Sequence, residues 1–179
     1  MHRREIADSL RDKIIEAGER AAHLARLVPR DSLAWQPSTG NGQTPMMDLG
    51  HLLGHILEAL AGFCAALSAA FPARAGEMAA LRSLPVNHAC TPEEAVERIA
   101  DYLKHIWSGF ADCTDDDLAR KVPTVFVPEG EALATILLGN LEHLVNHKHQ
   151  LFFYLRLLGV SARTQDLYRL RGSGAGSES

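Results

Sequence analysis

Four segments of this chain carry apolar residues at steps of three and four positions. A period close to 3.6 places such residues on one face of a helix, and that face must be buried against another element. The first segment, residues 4–28, shows the pattern at Ile6, Leu10, Ile14, Ala17, Ala21, Leu24 and Leu27. The pattern predicts an all-α fold.

The other three segments span about residues 44–70, 91–110 and 131–158. The second begins with Thr-Pro, a capping residue followed by proline at the first helical position. At the start of the third, Thr91 can cap the helix and Glu94 can reach back to it. Four helices of some 20–28 residues predict a four-helix bundle.

The connection between the second and third segments sets the expected order of the helices. It covers residues 71–90, and about 20 residues can span roughly 60 Å when extended. A 25-residue helix is only about 38 Å long. This long crossover lets the third helix start at the same end of the bundle as the second, so we expect an up-down-down-up order.

Length and composition favour one soluble domain. The chain has 179 residues, of which 46% are hydrophobic and 22% charged, as in ordinary globular proteins. We expect a single domain over residues 1–170 and a disordered tail over 171–179, which is rich in Gly and Ser. No apolar run reaches membrane-spanning length. The amphipathic start lacks a signal-peptide core, so we expect a cytoplasmic protein with no membrane partner.

Charge and cysteine content narrow the function further. Eighteen basic against twenty-two acidic residues give a net charge of −4, without a basic run. This argues against nucleic acid as the main partner. Cys64, Cys90 and Cys113 are odd in number and lack CxxC spacing, so we expect reduced thiols that pack as small buried residues.

Two histidines, His143 and His147, stand four residues apart in the fourth segment. On a helix their side-chain roots lie about 5–6 Å apart on one face, close enough to hold one metal ion. Asn140 and Gln150 share that face, so a polar stripe crosses an otherwise apolar helix. Unpartnered polar groups in a core cost roughly 1–3 kcal/mol each. A metal ion would satisfy both imidazoles together.

The second segment carries a matching stripe of His51, His55 and Glu58. In the expected order this stripe and His147 lie near the same end of the bundle. Three imidazoles with a fourth position open are typical of a catalytic metal site, and nitrogen ligands suit Zn, Ni, Co, Cu or Fe. The alternative is a metal-free pocket lined by hydrogen-bonded histidines.

Three motifs resemble those of the DinB/YfiT-like metalloenzyme family. Residues 33–37, Leu-Ala-Trp-Gln-Pro, are similar to its tryptophan–proline signature after the first helix. Residues 44–51 resemble its second-helix start, in which Ser or Thr precedes the first metal histidine by seven positions. Residues 143–159 resemble its last helix, with two histidines, a glutamine and a Leu-Arg-x-x-Gly ending. Together the motifs span about residues 5–160.

The resemblance implies a metal triad of His51, His143 and His147, with His55 outside it as a neighbouring or substrate-contacting group. It also implies the up-down-down-up bundle and often a homodimer. One departure is Lys148-His149, where family members commonly have Arg-Gly. Some relatives resemble transferases that join a low-molecular-weight thiol to an electrophile, or isomerases that use such a thiol.

We therefore expect a metal-dependent enzyme acting on a small-molecule substrate. A divalent transition metal, Zn or Ni first, would activate a low-molecular-weight thiol cofactor or water toward a small electrophile. His55 and Glu58 are the candidate catalytic residues for relaying the proton. The alternative function is a non-enzymatic stress-response protein that binds metal or a small ligand. A DNA-acting protein is suggested only by the family name, and the acidic charge counts against it.

Overall fold

The computed structural model describes residues 3–38, 46–73, 81, 83–124 and 127–168. Within them four long helices form the bundle: α1 (Glu5–Arg26), α2 (Leu49–Ala70), α3 (Pro92–Gly109) and α4 (Leu133–Leu157). A one-turn helix, α5 (Thr164–Leu167), follows α4. The all-α prediction is confirmed. The tail predicted over 171–179 lies outside the described residues.

The connections contain two 3-10 turns, Arg30–Ser32 and Asp117–Ala119. A minimal hairpin pairs β1 (Lys121–Val122) with β2 (Glu131–Ala132) in antiparallel register. This pairing explains why α4 begins at Leu133, later than the expected Glu131. The backbone of Glu131 faces Val122 across the hairpin instead of entering the helix.

Contacts between helices give their relative directions. They pair Arg4 with Phe110, Arg30 with Glu93, Gly50 with Cys90, Leu67 with Gly109, Met47 with Tyr154 and Gly62 with Asn140. The first two pairs make α1 and α3 antiparallel, and the next two make α2 and α3 parallel. The last two make α2 and α4 antiparallel. These directions agree with the up-down-down-up order, which otherwise rests on the length of the crossover.

The second helix begins four residues later than its expected start at residues 44–45, which lie outside the described residues. Asp48 is its N-cap, and the carboxylate accepts the backbone N–H of His51 at 2.8 Å. Such a bond satisfies one of the free N–H groups of the first turn. The predicted start of α3 is confirmed, because the Thr91 hydroxyl accepts the backbone N–H of Glu94 at 3.2 Å.

Helix α2 forms the centre of the core and packs mainly on α3 and α4. With 22 residues it is long and apolar enough, by length and composition, to cross a membrane. However, 67% of the apolar 18-residue window within it is buried inside the bundle. Most of the apolar surface of α2 is thus buried against other helices, as expected for the core helix of a folded domain.

Two glycines of α2 allow close approach of other parts of the chain. A Cβ atom at Gly54 would lie 1.9 Å from the carbonyl oxygen of His88. A Cβ atom at Gly62 would lie 2.9 Å from the side-chain oxygen of Asn140. Glycine at position 54 therefore lets the crossover lie directly against α2. Glycine at position 62 lets α4 approach α2 closely.

Candidate metal centre

Three histidines converge between α2 and α4. One ring nitrogen from each of His55, His143 and His147 lies within 4.8 Å of the other two, a spacing that suits one metal ion. The ring centroids are 4.3 to 4.9 Å apart. The Nε2 atoms of His55 and His143 are 3.1 Å apart. We refer to these three residues as the histidine cluster.

His51 lies outside the histidine cluster. Its side chain is 50% exposed, and its Nδ1 is 2.9 Å from both carboxylate oxygens of Asp48. The group that the structure brings together therefore contains His55 where the resemblance implied His51. The two histidines are one helical turn apart on the same stripe, so their spacing alone could not tell which of them meets His143.

The hydrogen bonds of His55 fix the position of its proton. Its Nδ1 lies 2.9 Å from Oε2 of Glu58 and also contacts the side-chain oxygen of Asn87. Both oxygens are acceptors, so Nδ1 carries the proton in the neutral ring and Nε2 presents a lone pair to the cluster. A carboxylate behind a histidine in this way is typical of metal sites.

His147 is oriented by a chain of three hydrogen bonds. Its Nδ1 lies 2.9 Å from Oε1 of Gln150. The amide of Gln150 donates through Nε2 to the Tyr154 hydroxyl at 2.9 Å, and that hydroxyl donates to the Met47 carbonyl at 3.1 Å. The amide oxygen must therefore face His147, whose Nδ1 carries the proton. The Nε2 lone pair remains available to the cluster.

The surroundings of His143 and His147 favour the neutral form of their imidazoles. Burial lowers the pKa of His143, and the nearby His55 lowers it further. Burial also lowers the pKa of His147, although its bond to Gln150 opposes the shift. Neutral imidazole is the form that binds metals. The Nε2 lone pair of His55 lies 3.1 Å from Nε2 of His143, so a proton or a cation must lie between the two nitrogens, and the donor set fits a metal ion.

Several residues of this site were not found from the sequence. Asn87 lies on the crossover with a positive φ of 57° and reaches His55 because Gly54 admits that segment. The one sequence signal for this contact is the glycine at position 54, inside an otherwise apolar helix. Asp48, by contrast, is a typical capping residue three positions before His51, and that spacing could have indicated it.

The tryptophan of the 33–37 motif also supports the cluster. The ring of Trp35 packs edge-on against Tyr154, with centroids 5.4 Å apart. Tyr154 is buried and is the residue that holds the amide of Gln150. The motif after the first helix thus contributes to the site through Tyr154 and Gln150, and its ring stays outside the histidine cluster.

One cavity shares His55 with the cluster, and a second lies further along the groove between α2 and α4. The first, of about 550 Å³, is lined by Gln36, Met46, Met47, Asp48, His51, His55 and Asn87. The second, of about 810 Å³, lies between α2 and α4 and extends toward the hairpin. His51 and His55 share the wall of the smaller cavity, so a molecule bound there would contact both rings.

No family model matches the sequence, and no curated protein matches it. Solved structures that share its fold include the following two. A DinB-like protein from Bacillus subtilis, YjoA, is 17% identical with a TM-score of 0.65, covering 90% of this chain and 99% of that one. A mycothiol-dependent maleylpyruvate isomerase is 13% identical with a TM-score of 0.57, covering 90% of this chain and 64% of that one. The chain therefore spans just under two thirds of the isomerase. These likenesses confirm the expected DinB-like fold.

Proposed function

We propose that this chain, which has the fold of the DinB-like proteins, is a metal-dependent enzyme of that family. It holds a divalent transition metal on His55, His143 and His147 and joins a small thiol, or water, to an electrophilic substrate. The observation that carries the proposal is the convergence of three imidazoles. Two of them have their outer nitrogens tied to acceptors, so their lone pairs face inward.

The donor set supports a catalytic type of site. Three nitrogen ligands leave a coordination position open, and Zn or Ni suits them. A divalent ion there would lower the pKa of a thiol or water in that open position and so supply a nucleophile near neutral pH. Glu58 and Asn87 position His55 by accepting the proton on Nδ1. In this arrangement the role proposed for Glu58 is to orient a ligand, and its candidacy for relaying the proton stays a prediction.

His51 is the residue best placed to accept the proton of the nucleophile. Its Nδ1 is held by Asp48, so in the neutral ring Nε2 has a free lone pair. Its ring is half exposed on the wall of the cavity that His55 also lines. A carboxylate–histidine pair stabilises the imidazolium that forms when Nε2 takes up a proton.

The nucleophilic thiol comes from a separate small molecule, because the thiols of this chain are poorly suited. Cys64, Cys90 and Cys113 are all free and buried. Burial raises the pKa of Cys64 and of Cys90 to about 12 and that of Cys113 to about 11. Thiolate is the reactive form. The structural neighbour named as mycothiol-dependent supports a low-molecular-weight thiol as cofactor.

The proposed setting is a cytoplasmic homodimer. Free cysteines fit a reducing compartment. The side chains of Leu138, Phe153 and Leu157 on α4 are each more than half exposed, which supplies apolar surface for a second copy of the chain. The proposal makes no use of nucleic acid, since the net charge is −4.

Elemental analysis of freshly purified protein tests the metal site first. We expect about one Zn or Ni ion per chain and loss of that ion in His147→Ala. The metal-loaded protein is then assayed with common bacterial thiols and small electrophiles, using His147→Ala as the inactive control. Absence of any bound ion contradicts the proposal. A bound ion without turnover in any mixture supports the alternative, a metal-binding stress-response protein.

A further inference from the structure

The larger cavity, of about 810 Å³, lies along the groove between α2 and α4, and its described lining residues include none of the three cluster histidines. On α2 its wall starts at Gly62, about two turns after His55. On α4 it includes Gly139 and Asn140, about one turn before His143. A molecule whose reacting atom lies at the cluster would reach this cavity by extending along the groove over about one to two helical turns.

The walls are built from very small side chains. Ala65, Ala66 and Ala69 continue the wall on α2, and Ile136 adds apolar surface from α4. A volume of this size is in the range of pockets that hold small organic ligands, and such pockets are mostly apolar. The lining predicts a ligand portion that is apolar and fairly extended.

Gly139 is a glycine that no close approach explains. A Cβ atom placed there would have no heavy atom within 4 Å, apart from its own helix and chain neighbours. Glycine inside a helix is less favourable than alanine. Gly62 is different, because a Cβ atom there would crowd the Asn140 amide. Because Gly139 has no side chain, nothing from this position projects into the cavity.

The charges that line the two cavities disfavour an anionic tail on the ligand. Among the described residues that line the larger cavity, Glu131 is the one charged side chain. The smaller cavity carries Asp48, and Glu58 lies behind His55. The described lining residues of both cavities include no Lys or Arg. An anionic tail would meet these carboxylates without a cationic partner.

We infer that the larger cavity binds the tail of the substrate, an extended aryl or alkyl group that is neutral or cationic. The placement of the electrophilic head at the histidine cluster rests on the proposed function. The tail site itself rests on the shape and charge of the cavity. Ligands that bear a carboxylate or sulfonate on this tail are rejected.

A matched pair of fluorescent probes tests the tail site by direct binding. N-phenyl-1-naphthylamine is neutral, and 8-anilinonaphthalene-1-sulfonate has the same two ring systems with an added sulfonate. We expect the neutral probe to bind the wild-type protein at one site and the sulfonate to bind at least about tenfold more weakly. Titrations are run with metal-loaded and metal-free protein, so that tail binding is measured independently of metal binding.

Two substitutions block the cavity from opposite walls. We expect Gly139→Phe and Ala65→Phe each to weaken binding of the neutral probe by about tenfold or more. Gly139→Ala is the matched control, because one methyl group leaves the cavity open. Circular dichroism and metal content verify that the blocked variants still fold around an intact cluster.

Equal probe affinity in the wild type and in both folded phenylalanine variants would overturn the inference, as would tighter binding of the sulfonate. Failure of the proposed function would look different. In that case the protein would lack metal or turnover. The neutral probe would still bind to the wild-type protein, and Gly139→Phe would still weaken that binding.

Discussion

The side-chain oxygen of Gln150 lies 2.9 Å from Nδ1 of His147, one helical turn away on α4. Tyr154 accepts the amide N–H of Gln150 and so determines which end of the amide faces the imidazole. The Met47 carbonyl accepts the Tyr154 hydroxyl. Through these bonds Met47, just before α2, fixes the tautomer of His147 on α4. The Nε2 lone pair of His147 therefore faces the cluster.

Gln150→Leu is expected to weaken metal binding by about 10–100-fold, because it removes the acceptor that fixes the tautomer of His147. Gln150→Glu keeps an acceptor at the same place and should retain most of the affinity. Competition with a chromophoric chelator measures both variants. Unchanged affinity in Gln150→Leu would show that the hydrogen bond has no part in presenting the ligand.

Substitutions of His51 and His55 should have opposite effects on metal content. We expect His55→Ala to lose the ion and His51→Ala to keep about one ion per chain. Under the proposed function His51 accepts the proton of the nucleophile, so His51→Ala should lower turnover by about 10²–10⁴-fold. Elemental analysis and activity assays are run on the same preparations. Loss of metal in His51→Ala with retention in His55→Ala would restore the triad that the sequence resemblance implied.

The three cysteines should be unreactive in the native protein. With pKa values raised to about 11–12 and buried side chains, their thiolate fraction at pH 8 is of the order of 10⁻³ or less. We expect Ellman's reagent to label none of them within minutes under native conditions. The denatured protein, in which all three react, is the control. Rapid native labelling would place a nucleophilic thiol within this chain.

Two glycine-to-alanine substitutions should change stability in opposite directions. Gly139→Ala is expected to raise the free energy of unfolding by about 1 kcal/mol, because it improves helix propensity and meets no neighbour. Gly54→Ala should lower it by about 1–3 kcal/mol, because the new Cβ would clash with the backbone of His88. Urea unfolding of the metal-free variants measures both. If both variants changed the free energy of unfolding by a similar amount in the same direction, the close contact assigned to Gly54 and the open space assigned to Gly139 would be contradicted.

Asp166 should give a pH-dependent contribution to stability. The backbone N–H of Arg163 and the ring of His23 bond to its carboxylate and lower its pKa. A lowered pKa in the folded state gives stability that is present above the unfolded value, 3.8, and is lost as pH falls through the folded pKa. We expect Asp166→Asn to be less stable at pH 7 and the difference to shrink on acidification. A difference that grows below pH 4 would contradict this assignment.

Local patterns in the sequence predicted the elements of the fold. Apolar periodicity gave the four helices, and Thr91 gave the start of α3, because both depend on interactions within a few residues. The second helix began later than predicted, since the side chain of Asp48 caps it. Short hairpin pairing likewise delayed the start of α4.

The sequence by itself determined that His143 and His147 share one face of a helix, because their spacing fixes this wherever the helix packs. Only the tertiary structure decided that His55, rather than His51, meets them. The two candidates are one turn apart, and the choice depends on how far α2 slides along α4. Contacts distant in sequence set that depth, among them Met47 with Tyr154 and Gly62 with Asn140. These contacts cannot be predicted from local sequence patterns, because the residues of each pair come together only when the helices pack.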